Sequence, residues 1–292
     1  MIFQQARKTL AACKPGWKLV EARQLSSRAA TLEILTDQGR PGRLTLLSHS
    51  PRDRQVNPDI ARDEFRLLQI LSSAGLAVPK PLLVDSRHEI PFLITEFVEG
   101  ETRFAPAKIS AFCHQMADIL ASIHRIDINR YDLSFLPAQS QVLEENLREA
   151  TEEAYGIRAI LSAARSRLQF NATVLLHGDF WLGNLLWRAD QLAAVIDWED
   201  AMLGDPLGDL GKSRLEMLWA LGEPAMDLYT AGYKTRNPGL DYSSLPFWDL
   251  WGALRLSHFA QWTTEEDKTA RLRTQYERFI TKAAAALEPL QK

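Results

Sequence analysis

The sequence predicts an α+β chain, with a small antiparallel sheet in its first hundred residues and a mainly helical remainder. Three observations predict it. Short runs with strand character, bounded by turn residues, crowd the segment from Trp17 to Gly100. Apolar residues at helical spacing dominate after Ile109. Between 174 and 211, short apolar runs end in carboxylates, and glycines punctuate the chain around them.

Residues 2 to 13 read as a short helix, stopped by Lys14, Pro15 and Gly16. Two strands follow, Trp17 to Arg23 and Ala29 to Thr36. The turn Asp37 to Gly42 leads into a third strand, Arg43 to Leu47. Ser48 to Asn57 is a polar loop. Ile60, Phe65, Leu67, Leu68, Ile70 and Leu71 then fix a helix from about Pro58 to Ala74, closed by Gly75. Leu82 to Val84 and a run from Pro91 toward Gly100 complete the strands.

Ile109 to Ile123 is an apolar-striped helix, and His124 at its end suits the carbonyl dipole there. Leu143 to Ala164 reads as one or two acidic surface helices carrying Glu144, Glu145, Glu149, Glu152 and Glu153. Leu210 to Leu221, Ala225 to Lys234, Phe247 to Trp262 and Arg271 to Leu287 are further helices. In the third of these, Trp248, Trp251, Arg255, Phe259 and Trp262 share about one face, as a core stripe or in part as a ligand pocket.

With 292 residues, 46% of them hydrophobic and 24% charged, the chain can bury a full core. A net charge of −3 argues against a general nucleic-acid binder. No apolar run is long enough for a membrane span, and the N-terminus lacks a signal-peptide pattern. The expected location is therefore the cytoplasm. Two cysteines, Cys13 and Cys113, make neither a disulfide framework nor a zinc site and read as buried small hydrophobes.

The chemistry concentrates in 174–211. Val174 to Leu176 delivers His177 and Asp179, and Val195 and Ile196 deliver Asp197 and Glu199, with Asn184 between. A loop opening on Asp179 and closing on Asn184, followed by a strand and another Asp, is what phosphoryl transfer needs. One carboxylate orients the attacking hydroxyl, while an amide oxygen and a second carboxylate hold a magnesium ion on the nucleotide phosphates. Carboxylates left unpaired at the ends of apolar runs would otherwise be costly.

His-Gly-Asp-Phe-Trp-Leu-Gly-Asn at 177–184, Ile-Asp-Trp-Glu at 196–199 and Gly-Asp-Pro-Leu-Gly-Asp-Leu at 204–210 resemble the aminoglycoside phosphotransferase/choline kinase family. The resemblance implies a two-lobed, protein-kinase-like fold, with an N-terminal nucleotide-binding lobe at 1–100 and a helical lobe at 101–292. It implies Asp179 as catalytic base, Asn184 and Asp197 as magnesium ligands with Glu199 as a second acid, and Asp205 or Asp209 as a structural brace. Glu64 resembles the helix glutamate that orients a nucleotide lysine, and equally reads as a solvated helix acid. Glu96, Phe97 and Val98 resemble the hinge that binds adenine. His177 is expected to brace the loop.

The first lobe departs from the family. Leu44 to Ser48 carries no lysine or arginine to grip phosphate, and the turn Gln24 to Arg28 lacks glycine. Arg28, Arg43, Arg52 or Arg54 are left as substitutes. The expected activity is transfer of the ATP γ-phosphate to a small-molecule hydroxyl, with aminoglycoside, macrolide, choline or fructosamine acceptors all compatible. The acidic helices read as a solvated face, and were the acceptor cationic they would attract it. Two alternatives stand beside it: a pseudokinase-like scaffold with little transfer, and a protein kinase, which the absence of an Asp-Phe-Gly to Ala-Pro-Glu segment disfavours.

Overall fold

The computed structural model describes residues 2–86, 90–151, 154–262 and 264–287. Glu152 and Glu153, counted above among the helix acids, lie outside the described residues. The chain divides into two compact units. One comprises residues 1–101 with 185–199, the other 102–184 with 200–292.

The first unit is built on a five-stranded antiparallel sheet of β1 (Lys18–Gln24), β2 (Ala29–Leu35), β3 (Pro41–Ser48), β4 (Pro81–Asp85) and β5 (Phe92–Glu96), in the order β1-β2-β3-β5-β4. Pairing of Leu32 with Leu44 and of Leu46 with Ile94 stacks alternate residues on one face. That face buries Leu32, Ile34, Leu44, Leu46, Phe92 and Ile94 against Ala6 and Leu10 of α1 (Ile2–Cys13). Burying each such side chain contributes roughly 1.5–3 kcal/mol. The apolar side of α3 (Ile60–Ser73), with Leu67, Leu68 and Leu71 buried, packs against β4 and β5. Gly75, at φ +83°, ends that helix in the left-handed conformation, and the Leu76 N–H bonds to the Leu71 carbonyl at 3.0 Å.

Ser48 to Asn57 is not wholly loop. Pro51–Val56 forms a short helix, α2, because Ser50 and Asp53 make a reciprocal capping box and Pro51 suits the first turn. Residues 185–199 join this unit although they follow the Asp179 loop in sequence. Their hairpin, β7 (Leu185–Arg188) and β8 (Gln191–Val195), is tied down by Glu101–Trp187 backbone bonds of 2.9 Å in both directions and by Val195 N–H to the Ala77 carbonyl at 2.8 Å.

The second unit is helical: α4 (Ile109–His124), α5 (Gln139–Glu149), α6 (Tyr155–Ala164), α7 (Leu207–Leu221), α8 (Glu223–Arg236), α9 (Leu245–Arg255) and α10 (Glu266–Leu287). The short antiparallel pair β6 (Val174–Leu176) and β9 (Met202–Gly204) lies among them. α4 packs on α8, and α7 on α9. At the second crossing a Cβ on Gly252 would lie 2.6 Å from the Lys212 Cα, and one on Gly211 would strike the Trp248 backbone. Both glycines are needed for two helix backbones to come this close.

The expected helix from Phe247 to Trp262 breaks. After Leu256 the chain continues through three-residue backbone bonds, Phe259 N–H to Leu256 O and Gln261 N–H to His258 O. No glycine or proline forces this. The tighter turn seats Phe259 and Trp262 around Trp219, at centroid distances of 5.3 and 5.6 Å, and aromatic packing outweighs helix continuity. Cys113 is buried, which pushes its thiol up to about 11, whereas Cys13 is exposed and is no core residue. Among the described residues no helix is long and apolar enough to cross a membrane.

Candidate active site

The loop after β6 is fixed from below. Gly178 has φ +80°, and a Cβ there would collide with the Asp200 carbonyl. Asp209, near the start of α7, accepts the His177 N–H at 2.7 Å and the Gly178 N–H at 2.8 Å. His124 supports it from α4: Nε2 lies 3.2 Å from Asp209 and Nδ1 lies 2.6 Å from the Tyr233 hydroxyl. Burial opposes ionisation of Asp209, but His124, His177 and the backbone donor outweigh it and hold the carboxyl below its ordinary range. The bracing aspartate is thus Asp209. Asp205 instead binds Asn171 at 2.7 Å and caps α7 through the Leu207 N–H at 2.8 Å. The His177 ring is fully buried and accepts the Asp179 N–H at 3.2 Å, as a brace would.

Both oxygens of Asp179 are held. Asn184 Nδ2 donates to Oδ2 at 3.0 Å and to the Asp179 backbone carbonyl at 2.9 Å. Lys212, buried on α7, forms an ion pair with Oδ1 and lies 3.4 Å from Glu216 one turn later. Burial pushes the Asp179 carboxyl upward, yet Lys212, with Arg255 and His177 adding to it, holds it well below the usual carboxylate range. Burial raises Glu216, with Asp179 adding to the rise. Arg255 donates to the Gly178 carbonyl and, at 3.0 Å, to Asp200, with its guanidinium 5.3 Å from the Trp251 ring centre.

The sequence stripe on α9 is therefore partly core, in Trp248 and Trp251, and partly a clamp on the Asp179 loop, in Arg255. Lys212 was absent from the sequence reading. The signal was there: it stands three residues after Asp209 on the buried face of a helix, where an unpaired ammonium would be costly.

Asp197 and Glu199 belong to the other unit. Asp197 has φ +66°, a left-handed backbone that aspartate tolerates better than most residues. Arg28, from the turn before β2, bonds Asp197 at 2.7 Å and pairs with Glu199 through the same nitrogen. Burial would lower the guanidinium, but Asp197, Glu199 and then Glu64 raise it, so four charged groups form one cluster. Of the four candidate arginines, Arg28 is placed among these acids. Arg43 pairs with Glu33 at 2.8 Å and packs over Phe97.

Glu64 is no solvated helix acid. It is buried, and the His49 Nε2 lies 2.7 Å from its carboxylate. His49 stands one residue past β3, next to the Leu44 to Ser48 run that carries no lysine. Glu96 is exposed, its N–H donates to the Lys80 carbonyl at 2.9 Å, and its own carbonyl accepts from Thr95 Oγ1 at 3.1 Å. Val98 lines a cavity of about 550 Å³ with Arg43, Phe97 and Arg188. Among the described residues no group of three or more His, Cys, Asp or Glu side chains forms a metal centre. Asn184, Asp197 and Glu199 are hard oxygen donors, the chemistry of magnesium or calcium and unlike that of zinc.

Comparison with known proteins places this geometry. Residues 21–248 match the model of the phosphotransferase enzyme family, and the chain belongs to that family. A macrolide 2'-phosphotransferase of type I superposes with a TM-score of 0.64 at 18% identity, over 94% of this chain and 96% of that one. Amicoumacin kinase, solved with AMP-PNP, Ca²⁺ and its antibiotic, gives 0.62 at 17% identity over 96% and 93%. A thermostable mutant of an aminoglycoside phosphotransferase, solved with AMP-PNP and hygromycin B, gives 0.63 at 17% over 95% and 98%. The fold is that of these kinase-like enzymes, as the sequence predicted. Among curated proteins the chain is similar to mouse acyl-CoA dehydrogenase family member 10, at 28% identity over 52% of this chain and 16% of that protein. It is also similar to rat acyl-CoA dehydrogenase family member 11, at 27% over 65% and 29%. The match thus spans less than a third of the length of these relatives.

Proposed function

We propose that the chain is an ATP-dependent small-molecule kinase, moving the γ-phosphate to a hydroxyl, with Asp179 as the residue that receives the acceptor. The carrying observation is the doubly held carboxylate, with Lys212 on one oxygen, Asn184 on the other, and the loop backbone clamped by Asp209. A carboxylate held so far down is always ionised near neutrality. It serves better to aim the hydroxyl than to hold its proton, and a loose phosphoryl-transfer transition state asks mainly for aim and charge stabilisation.

Asn184 spends its N–H groups on Asp179, which leaves its side-chain oxygen for a cation. In this reading Asn184 and Asp197, with Glu199, are the residues for magnesium, which when bound neutralises the phosphate oxygens. The backbone of Glu96 to Val98 serves adenine, Glu64 with His49 shapes the phosphate side, and Arg28 supplies the positive charge absent from Leu44 to Ser48.

The scaffold alternative draws support from Arg28, which neutralises the two acids itself. Thermal stability with and without millimolar Mg-ATP separates the two readings. Ligand at a hundred times its dissociation constant adds about 2.7 kcal/mol, or several degrees at roughly 2–4 °C per kcal/mol. The kinase reading expects a magnesium-dependent rise that Asp197→Ala loses. No rise in the wild type would leave the scaffold.

A further inference from the structure

We infer that the acceptor is an alcohol on an apolar body that also carries an anionic group, seated in the cavity beside Asp179. The inference rests on the kinase reading above. Within the helical unit, Asp179, Lys212 and Glu216 line a cavity of about 450 Å³ whose other walls are largely apolar, with Trp181, Trp219, Leu256, Trp262 and Leu272. That volume is in the roughly 300–1,000 Å³ range of small-molecule sites. A second cavity of about 440 Å³ shares Trp219, Ala220 and Arg271 with the first and reaches Phe104 and Ile109.

The aromatic walls are fixed. Trp219 donates from Nε1 to the Leu272 carbonyl at 3.2 Å, and the Trp181 ring lies 5.7 Å from Phe104. Trp262, Phe104 and Ile109 nevertheless stay 54%, 48% and 44% exposed. Exposed large apolar side chains gathered at a cavity mark a binding surface, where single ones would mean nothing.

Charge selects the second feature of the ligand. The ionisable residues lining the first cavity are two acids, Asp179 and Glu216, and three bases, Lys212, Lys268 and Arg271. Both acids already face Lys212. Lys268 and Arg271 lie exposed on α10 and are the charges a ligand would meet. A polycation would find no uncommitted acid in this lining, whereas a carboxylate or phosphate finds two cations. The acids of α5 line neither cavity, and Glu144 pairs with Arg165.

In the reaction the acceptor oxygen bonds to the γ-phosphorus of ATP. The bond from that phosphorus to the bridging oxygen breaks, ADP leaves with the electron pair, and the hydroxyl proton passes through Asp179, which does not keep it, to solvent.

The test uses the whole chain with ω-hydroxycarboxylates of four, eight and twelve carbons, the matching eight-carbon diol, kanamycin and choline. Binding is followed by calorimetry with ADP present, and transfer from Mg-ATP by mass spectrometry. We expect kcat/KM to climb with chain length, by up to roughly three- to fourfold for each methylene fully buried. In Arg271→Glu the ratio of kcat/KM for the eight-carbon carboxylate over the diol falls on the order of tenfold, which a merely loosened fold would not do. Trp262→Ala flattens the dependence on length. Preferential phosphorylation of kanamycin or choline overturns the inference and leaves the kinase standing. Absence of hydroxycarboxylate binding overturns it as well. Length-dependent binding lost in Arg271→Glu, with no compound phosphorylated, instead overturns the kinase reading and keeps the ligand class.

Discussion

Asp179 and the Asp197–Glu199 pair are carboxylates that follow short strands by two to four residues, yet the two units hold them in opposite ways. Asp179 has a counter-ion built into a buried helix, a second partner in its own loop, and a backbone pinned by Asp209. Asp197 and Glu199 share one guanidinium that reaches in from a turn, and the Asp197 side chain keeps 38% of its surface exposed. One arrangement draws on a buried helix and a clamped loop, and the other on a side chain from a turn. On the proposed kinase reading, the group that aims a substrate gains from a fixed neighbour, whereas acids proposed for a metal would need a neighbour that can yield.

The strongest test of the fixed side is Asp179→Asn. It keeps the shape and the Asn184 contact but removes the charge, so transfer should fall roughly a thousandfold while Mg-ATP affinity stays near wild type by calorimetry. A variant that turns over at the wild-type rate would remove Asp179 from the chemistry.

Next comes Lys212→Met, which strands buried Glu216 and half-buried Asp179 and should cost about 3 kcal/mol in urea unfolding. It also carries a pH signature. Lys212 depresses Asp179, so removing it lets the carboxyl keep its proton to higher pH, and the acid limb of kcat/KM moves up. In the wild type Asp179 and Asp209 are both depressed. Their contribution to stability is present above the ordinary carboxylate pKa of about 4 and is lost as pH falls toward their folded values. An acid limb that does not move in Lys212→Met would show the lysine to be mere packing.

Arg28→Gln addresses the yielding side and should have the smallest effect on stability, under about 1 kcal/mol. The change to look for is in divalent-ion affinity. Without a competing guanidinium, calcium or magnesium binding measured by calorimetry should tighten several-fold, while affinity for ATP without metal weakens. Unchanged ion binding would mean that Arg28 does not compete with a metal.

Much of this was legible in the chain. Short strand-like runs bounded by turn residues located the sheet, whose pairing sets Leu32, Leu44, Leu46 and Ile94 on one face. The Asp179 to Asn184 loop was legible because its contacts are local. What stayed hidden depends on partners far along the chain. Lys212 meets Asp179 across 33 residues and Arg28 meets Asp197 across 169, and no local pattern encodes either. His49 left no local trace because its partner Glu64 lies 15 residues on, in the next long helix. The break after Leu256 is set by rings on α7 and α10 that the segment itself does not contain.

The glycine pair where α7 crosses α9 has a bearing on how such an enzyme can change. Gly252 lies against the backbone of Lys212, and Arg255, less than one turn on, grips the Gly178 carbonyl. The cavity wall at Leu256 continues directly from that helix. Moving the wall to admit a bulkier alcohol therefore also shifts the lysine and arginine that set Asp179. On the proposed reading of this cavity, selectivity and speed are mechanically linked, and variants that widen it through α9 should act more slowly on every acceptor until a second change restores the crossing.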